Sequence, residues 1–225
     1  MRVVPFFLLL ATFLTFRVQA SEPVRTLAVL DFENNSFFNS EAVQPLSKGL
    51  GQMMATELGR CPSVRIVERR KLQRLVDELK LAQAGVTDEE NVVQVGRMAG
   101  AQNLVFGGYL VMPDGKMRMD VRIVEVETGL TLQAGEATGK TRDVLSLVRK
   151  LSRKVLKDLE LRLTAPDDRP PGNVSLDALT QFSKGVEFED RGDAVRAAEC
   201  YRKALAMEPD FGPAKDRLSR LSKTR

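Results

Sequence analysis

Apolar residues between Thr26 and Leu161 switch repeatedly between unbroken runs and helical spacing. Thr26-Leu27-Ala28-Val29-Leu30-Asp31-Phe32 is a short apolar run rich in strand formers, and the polar Glu33-Asn34-Asn35-Ser36 that follows reads as a turn. Val43, Leu46, Leu50, Met53, Met54 and Leu58 recur at helical spacing up to Gly59-Arg60, which predicts one amphipathic helix. Val64-Arg65-Ile66-Val67 alternates as a second strand. Leu72, Leu75, Val76 and Leu79 mark the face of a second helix that Gly85 closes. Thr87 with Glu90 forms a capping box ahead of Val92, Val95 and Met98, so a third short helix ends near Gly100.

A β-meander is expected next. Its strands run over Asn103 to Met112, Met117 to Glu127 and Leu130 to Thr138, joined by Pro113-Asp114-Gly115-Lys116 and by Thr128-Gly129. Arg142 to Leu161 then reads as a long helix with Val144, Leu145, Val148, Leu151, Val155 and Leu159 on its apolar side. The prolines and charges of Thr164 to Gly172 bar regular structure there and predict a linker. Beyond it, Leu179 to Asp190 and Ala194 to Met207 read as two helices around a Gly192-Asp193 turn, with Pro209 as the stop and an amphipathic tail over Pro213 to Leu221.

At the other end, Met1-Arg2 precedes the apolar run Val3 to Phe16 and then Arg17-Val18-Gln19-Ala20. A basic start, a run shorter than the roughly 20 residues of a membrane span, and small side chains before a polar Ser21-Glu22-Pro23 predict a secretory signal peptide cleaved after Ala20. The expected organisation is therefore a signal peptide over 1–20, an α/β domain over 21–163, a Pro-rich linker over 164–175, and a helical repeat with its capping helix over 176–225. The mature chain, from Ser21, is then expected to be exported.

Composition narrows the chemistry. The chain is 43% hydrophobic and 28% charged, as in an ordinary globular protein. Arg2 and Arg17 account for two of its +4 net charges, and the remaining excess of about two is too mild to point to nucleic acid. With no histidine anywhere, the commonest general base and transition-metal ligand are missing. Cys61 and Cys200 fall in different predicted domains and read as isolated buried thiols, with a single bridge between them as the alternative. No catalytic residue, cofactor site or metal site is expected.

Some motifs have ordinary readings. Ala134-Gly135-Glu136-Ala137-Thr138-Gly139-Lys140-Thr141 satisfies a loose phosphate-loop pattern, but Ala137-Thr138 favours a strand where such a loop must curl. Glu68-Arg69-Arg70-Lys71 reads as a solvated strand-to-helix corner. Arg149, Lys150, Arg153, Lys154 and Lys157 read as the wet side of the long helix, and Asp31 and Glu33 as capping and turn residues.

Two resemblances stand on ordered motifs. Gly185, Phe188, Gly192, Asp193, Ala197, Tyr201, Ala204 and Pro209 fall in the register of a tetratricopeptide repeat of about 34 residues, with Gln181 and Lys184 departing from it. Such a repeat holds other proteins, and a single copy must lean on the tail, on the rest of the chain or on a second copy. The resemblance implies a protein-binding groove of Phe182, Gly185, Phe188, Ala197, Tyr201, Ala204 and Leu205; a purely structural hairpin stays open beside it.

Leu27-Ala28-Val29-Leu30-Asp31-Phe32-Glu33-Asn34-Asn35, Val67-Glu68-Arg69, and Gly96 to Gly108 with Ala101-Gln102-Asn103-Leu104-Val105-Phe106-Gly107 resemble the family of the curli-secretion component CsgG. Over residues 26 to 162 this implies a periplasm-facing α/β (α+β) domain with a mixed sheet and flanking helices, similar to the TolB N-terminal domain. In the founding branch it implies a ring that inserts β-hairpins into the outer membrane. The predicted strands are all needed by the globular sheet, so the expectation is an adaptor of the bacterial cell envelope that binds protein partners. A subunit of an outer-membrane secretion assembly is the alternative. Peripheral outer-membrane association and homo-oligomerisation stay open.

Overall fold

The computed structural model describes residues 24–82, 89–161 and 172–223. The signal peptide, the Thr87 cap and most of the predicted linker lie outside them. One mixed sheet organises the α/β part in the order β3-β1-β4-β5-β6. β1 (Arg25–Val29) pairs in parallel with β3 (Val64–Ile66) and with β4 (Asn103–Val111). β5 (Lys116–Glu125) and β6 (Thr131–Lys140) complete the expected antiparallel meander, with a register shift between Val121 and Ile123.

Strand alternation sorts the two faces. Leu27, Val29, Val105, Tyr109, Met117, Met119, Val121 and Ile123 join the main core with α2 (Leu46–Leu58) and α5 (Val144–Asp158). Ala28 and Leu104 point the other way, into a smaller cluster with α3 (Arg69–Ala82) and α4 (Glu89–Ala99). Helices on both faces are what parallel strands require, since each crossover must pass over the sheet.

Several expectations change in detail. The single helix predicted from Val43 is two: α1 (Ser40–Val43) and α2, with Pro45 as the residue before α2. Glu33 and Asn34 are not a turn but a two-residue strand, β2, parallel to Gly108 and Tyr109 of β4. Residues 134 to 140 are extended within β6, so the phosphate-loop pattern has no loop to act through.

Beyond the sheet, α6 (Leu176–Asp190) and α7 (Ala194–Met207) form a helical hairpin, and α8 (Gly212–Lys223) follows. Ser175 caps α6 by accepting from the Ala178 N–H at 3.3 Å, and Asp193 caps α7 by accepting from the Arg196 N–H at 3.0 Å. Gly192 makes the turn at φ 81°, a conformation that side chains resist. The hairpin does not stand apart. Val174, Ala178, Leu179, Phe182 and Val186 belong to the same buried cluster as α2 and α5. Helices α2 and α6 approach so closely at Gly49 that a Cβ there would lie 2.0 Å from Ser183 Oγ.

Candidate protein-binding surface

The hairpin is built around Tyr201. Its ring packs on Gly185, where a Cβ would fall 2.5 Å from the ring edge, and lies 5.7 Å from the centroid of Phe182, which in turn lies 5.1 Å from Phe211. The Tyr201 hydroxyl donates to Glu189 at 2.8 Å, and Arg217 of α8 donates to both oxygens of the same carboxylate. Glu189 thus ties α6, α7 and α8 together. Burial, and next the Glu189 charge, push the Tyr201 phenol well above its ordinary value of 10.0.

This packing decides what the predicted groove residues do. Phe182, Ala197, Tyr201 and Ala204 are fully buried, as is Gly185 between the helices. Phe188 is half-buried with the Arg196 guanidinium 4.7 Å above its ring. Of the seven, Leu205 lines an open groove. That groove runs between α7 and α8, encloses about 780 Å³, and is bounded by Val195, Leu205, Leu218 and Leu221 with Arg202 and Lys215 at its polar positions. Phe182, Gly185, Ala197, Tyr201 and Ala204 thus pack the hairpin from inside, and its open face lies at Val195, Leu205, Leu218 and Leu221.

A second arrangement, missed in the sequence, clamps the hairpin to the sheet. Asp31 leaves the end of β1, and Arg69 begins α3, as parallel strands place their loops at one edge. Arg69 donates to Asp31 at 2.8 Å and to Asp190, the last residue of α6, at 2.7 and 3.2 Å. Lys48 of α2 joins at 3.2 Å from Asp31 and 3.7 Å from Asp190. Burial raises the Asp31 carboxyl, but Arg69 and then Lys48 outweigh it and hold the group below its ordinary value of 3.8. The predicted solvated corner therefore holds one half-buried, ion-paired member, Arg69, with Glu68, Arg70 and Lys71 exposed as expected. The basic face of α5 is similarly part-used: Arg149 lies 3.9 Å from Glu57, and the Lys154 stem crosses Gly135.

The third feature is the loop after β2. Asn34 accepts from the Ser36 N–H at 3.0 Å and donates to the Ser40 carbonyl at 2.9 Å and to Gln44 Oε1 at 3.0 Å. Ser36 Oγ accepts from the Val111 N–H at 3.0 Å, and the Tyr109 hydroxyl donates to the Val43 carbonyl at 2.8 Å. Between these anchors Phe37 is 97% exposed and Phe38 52%. Two neighbouring phenyl rings held in water by a fixed loop are unusual for a closed surface.

Cys61 and Cys200 are buried thiols, and neither is in a disulfide. No cluster of three or more His, Cys, Asp or Glu suited to a metal occurs among the described residues, and no helix there is long and apolar enough to cross a membrane.

The family model described as "Curli production assembly/transport component CsgG" matches residues 15–111, which runs to the last residue of β4 and includes the Phe37–Phe38 loop. The chain is similar to that family over this stretch. No curated protein matches it. Among solved structures it is similar to the LpoB C-terminal domain from Salmonella enterica, at 14% identity over 55% of this chain and 87% of that one, with a TM-score of 0.37. It is also similar to the PelC dodecamer from Paraburkholderia phytofirmans (18% identity, 63% and 91% covered, TM-score 0.36). A third is the lipoprotein GNA1162 from Neisseria meningitidis (15% identity, 63% and 100% covered, TM-score 0.39). Likeness at this level transfers no property to this chain.

Proposed function

We propose that this is an exported, non-enzymatic adaptor or assembly protein of the bacterial cell envelope, which binds partner proteins through its CsgG-like domain and through the helical hairpin, read as a tetratricopeptide repeat. The observation that carries the reading is the CsgG match over residues 15–111, the stretch that holds both the Asp31–Arg69 anchor and the exposed loop. Supporting it, the hairpin offers an apolar groove between α7 and α8 that its own core leaves open.

The ion network suits such a role, because a binding surface needs a rigid mount. Arg69 has few free rotamers once two carboxylates hold its guanidinium, and the hairpin shares its core with α2. Binding then loses less entropy than it would on a mobile appendage.

The test is cross-linking in cell envelopes of the exported chain carrying Val195→Glu or Leu218→Glu against the unaltered protein. Val195 is 55% exposed, so its change leaves folding intact. Loss of specific protein cross-links in the groove variants is expected. An unchanged cross-link pattern overturns the hairpin's part in the reading.

A further inference from the structure

We infer that the Phe37–Phe38 loop of one copy seats in the α7/α8 groove of a second copy, so that the chain associates head to tail with itself. The inference rests on the reading of that groove as a protein-binding surface and names its occupant.

Three observations converge. The loop is preorganised: Asn34, Ser36 and the Tyr109 hydroxyl fix both of its ends, and Asn39 adopts a left-handed φ of 49° where the chain turns into α1. Phe37, 97% exposed, makes no use of its own hairpin's groove. An aromatic pair on a rigid stalk loses little entropy on docking, which is the property of an interface anchor.

The groove matches in shape and polarity. Its apolar sides come from Val195, Leu205, Leu218 and Leu221, and its volume of about 780 Å³ gives room for aromatic rings. The charges are complementary as well. Residues 33–44 carry Glu33 and Glu41, both exposed, and no lysine or arginine. The groove is lined by Arg202 and Lys215 and by no acid, with Lys215 also 3.0 Å from Asp210 on the surface. Acidic flanks beside a pair of rings, meeting basic sides around an apolar floor, orient the contact and speed encounter.

In a head-to-tail contact of loop with groove, each docked copy still presents one of each. Such a heterologous contact grows into a closed ring or an open row. An isologous dimer would leave neither.

Sedimentation velocity on the exported chain tests this with two complementary variants. Phe37→Ser/Phe38→Ser removes the loop's rings and keeps the groove; Val195→Glu blocks the groove and keeps the rings, and both changes fall on exposed positions. Unaltered protein is expected to pass beyond dimers as concentration rises. Either variant alone should self-associate at least about tenfold more weakly, since buried aromatic anchors dominate interfaces of this kind. Mixed together, the two should form a 1:1 dimer and stop there.

A monomer at every concentration overturns the inference, as does assembly of both variants at the unaltered level, or a mixture that forms no dimer. Loop-dependent binding to anionic phospholipid vesicles without self-association assigns the rings to a membrane and overturns it too. Envelope cross-links lost in Val195→Glu but kept in the loop variant, with no self-association, leave the adaptor reading standing while this inference falls.

Discussion

Arg69, at the start of α3, grips Asp190, at the end of α6, through two hydrogen bonds that span 121 positions of sequence. Asp190 is 7% exposed and Arg69 11%, so the pair is shielded from water and salt. Removing one partner of a buried pair leaves the other charge poorly compensated. Asp190→Ala is expected to destabilise the fold by about 3 kcal/mol, and Asp190→Asn by less, as read from urea unfolding. A loss below about 0.5 kcal/mol would mean that Asp31 alone satisfies Arg69.

Asp31 makes stability depend on acid. Its carboxyl sits below the ordinary 3.8 because Arg69 and Lys48 outweigh the effect of burial. A lowered native value means the contribution is present above pH 3.8 and is lost as pH falls through the lower, native value. Stability of the unaltered protein should therefore fall more steeply below that pH than that of Asp31→Asn. Parallel acid limbs in thermal unfolding would contradict the network.

Gly185 is set by the Tyr201 ring. A Cβ there would lie 2.5 Å from the ring, inside contact distance, and Tyr201 is held from its other end by Glu189. Gly185→Val should destabilise by roughly 2 kcal/mol or more through overpacking, outweighing any gain from replacing a helical glycine. Gly192→Ala, strained at φ 81° but in open space, should give a smaller loss of about 1 kcal/mol.

The chain has two tyrosines and no tryptophan, so phenolate absorbance reports Tyr109 and Tyr201 alone. Burial is the main cause that pushes both above 10.0, with Glu189 adding to it at Tyr201. A raised native value contributes stability that is full below pH 10.0 and lost as pH rises through the native one. In the native protein neither ring should ionise near its ordinary value, whereas the urea-unfolded chain should. Normal titration of one phenol in the folded state would place that ring in water.

Much of the architecture was legible because it is written in local periods. The run from Leu27, the helical spacings of Leu50 to Leu58 and Val144 to Leu159, and the meander turns at Gly115 and Gly129 each encode one element without reference to distant partners. β2 was not legible, since Glu33 and Asn34 become a strand by pairing with Gly108 and Tyr109. Arg69 read as a surface charge for the same reason: its counter-ions come from Asp31, 38 positions away, and from Asp190.

Apart from β2 and the break between α1 and α2, the sequence by itself determined the order of helices and strands, the short turn at Gly192, and the residues that interlock α6 with α7, because spacing and small-to-large pairing are local properties. Tertiary structure decided where those residues point. With Leu179 and Phe182 turned onto α2 through the Gly49–Ser183 contact, the aromatic face expected to hold a partner became core. The open surfaces fell instead to the α7/α8 groove and to Phe37 and Phe38. Exposure is a property of what remains uncovered once every element has packed, and no window of sequence contains it.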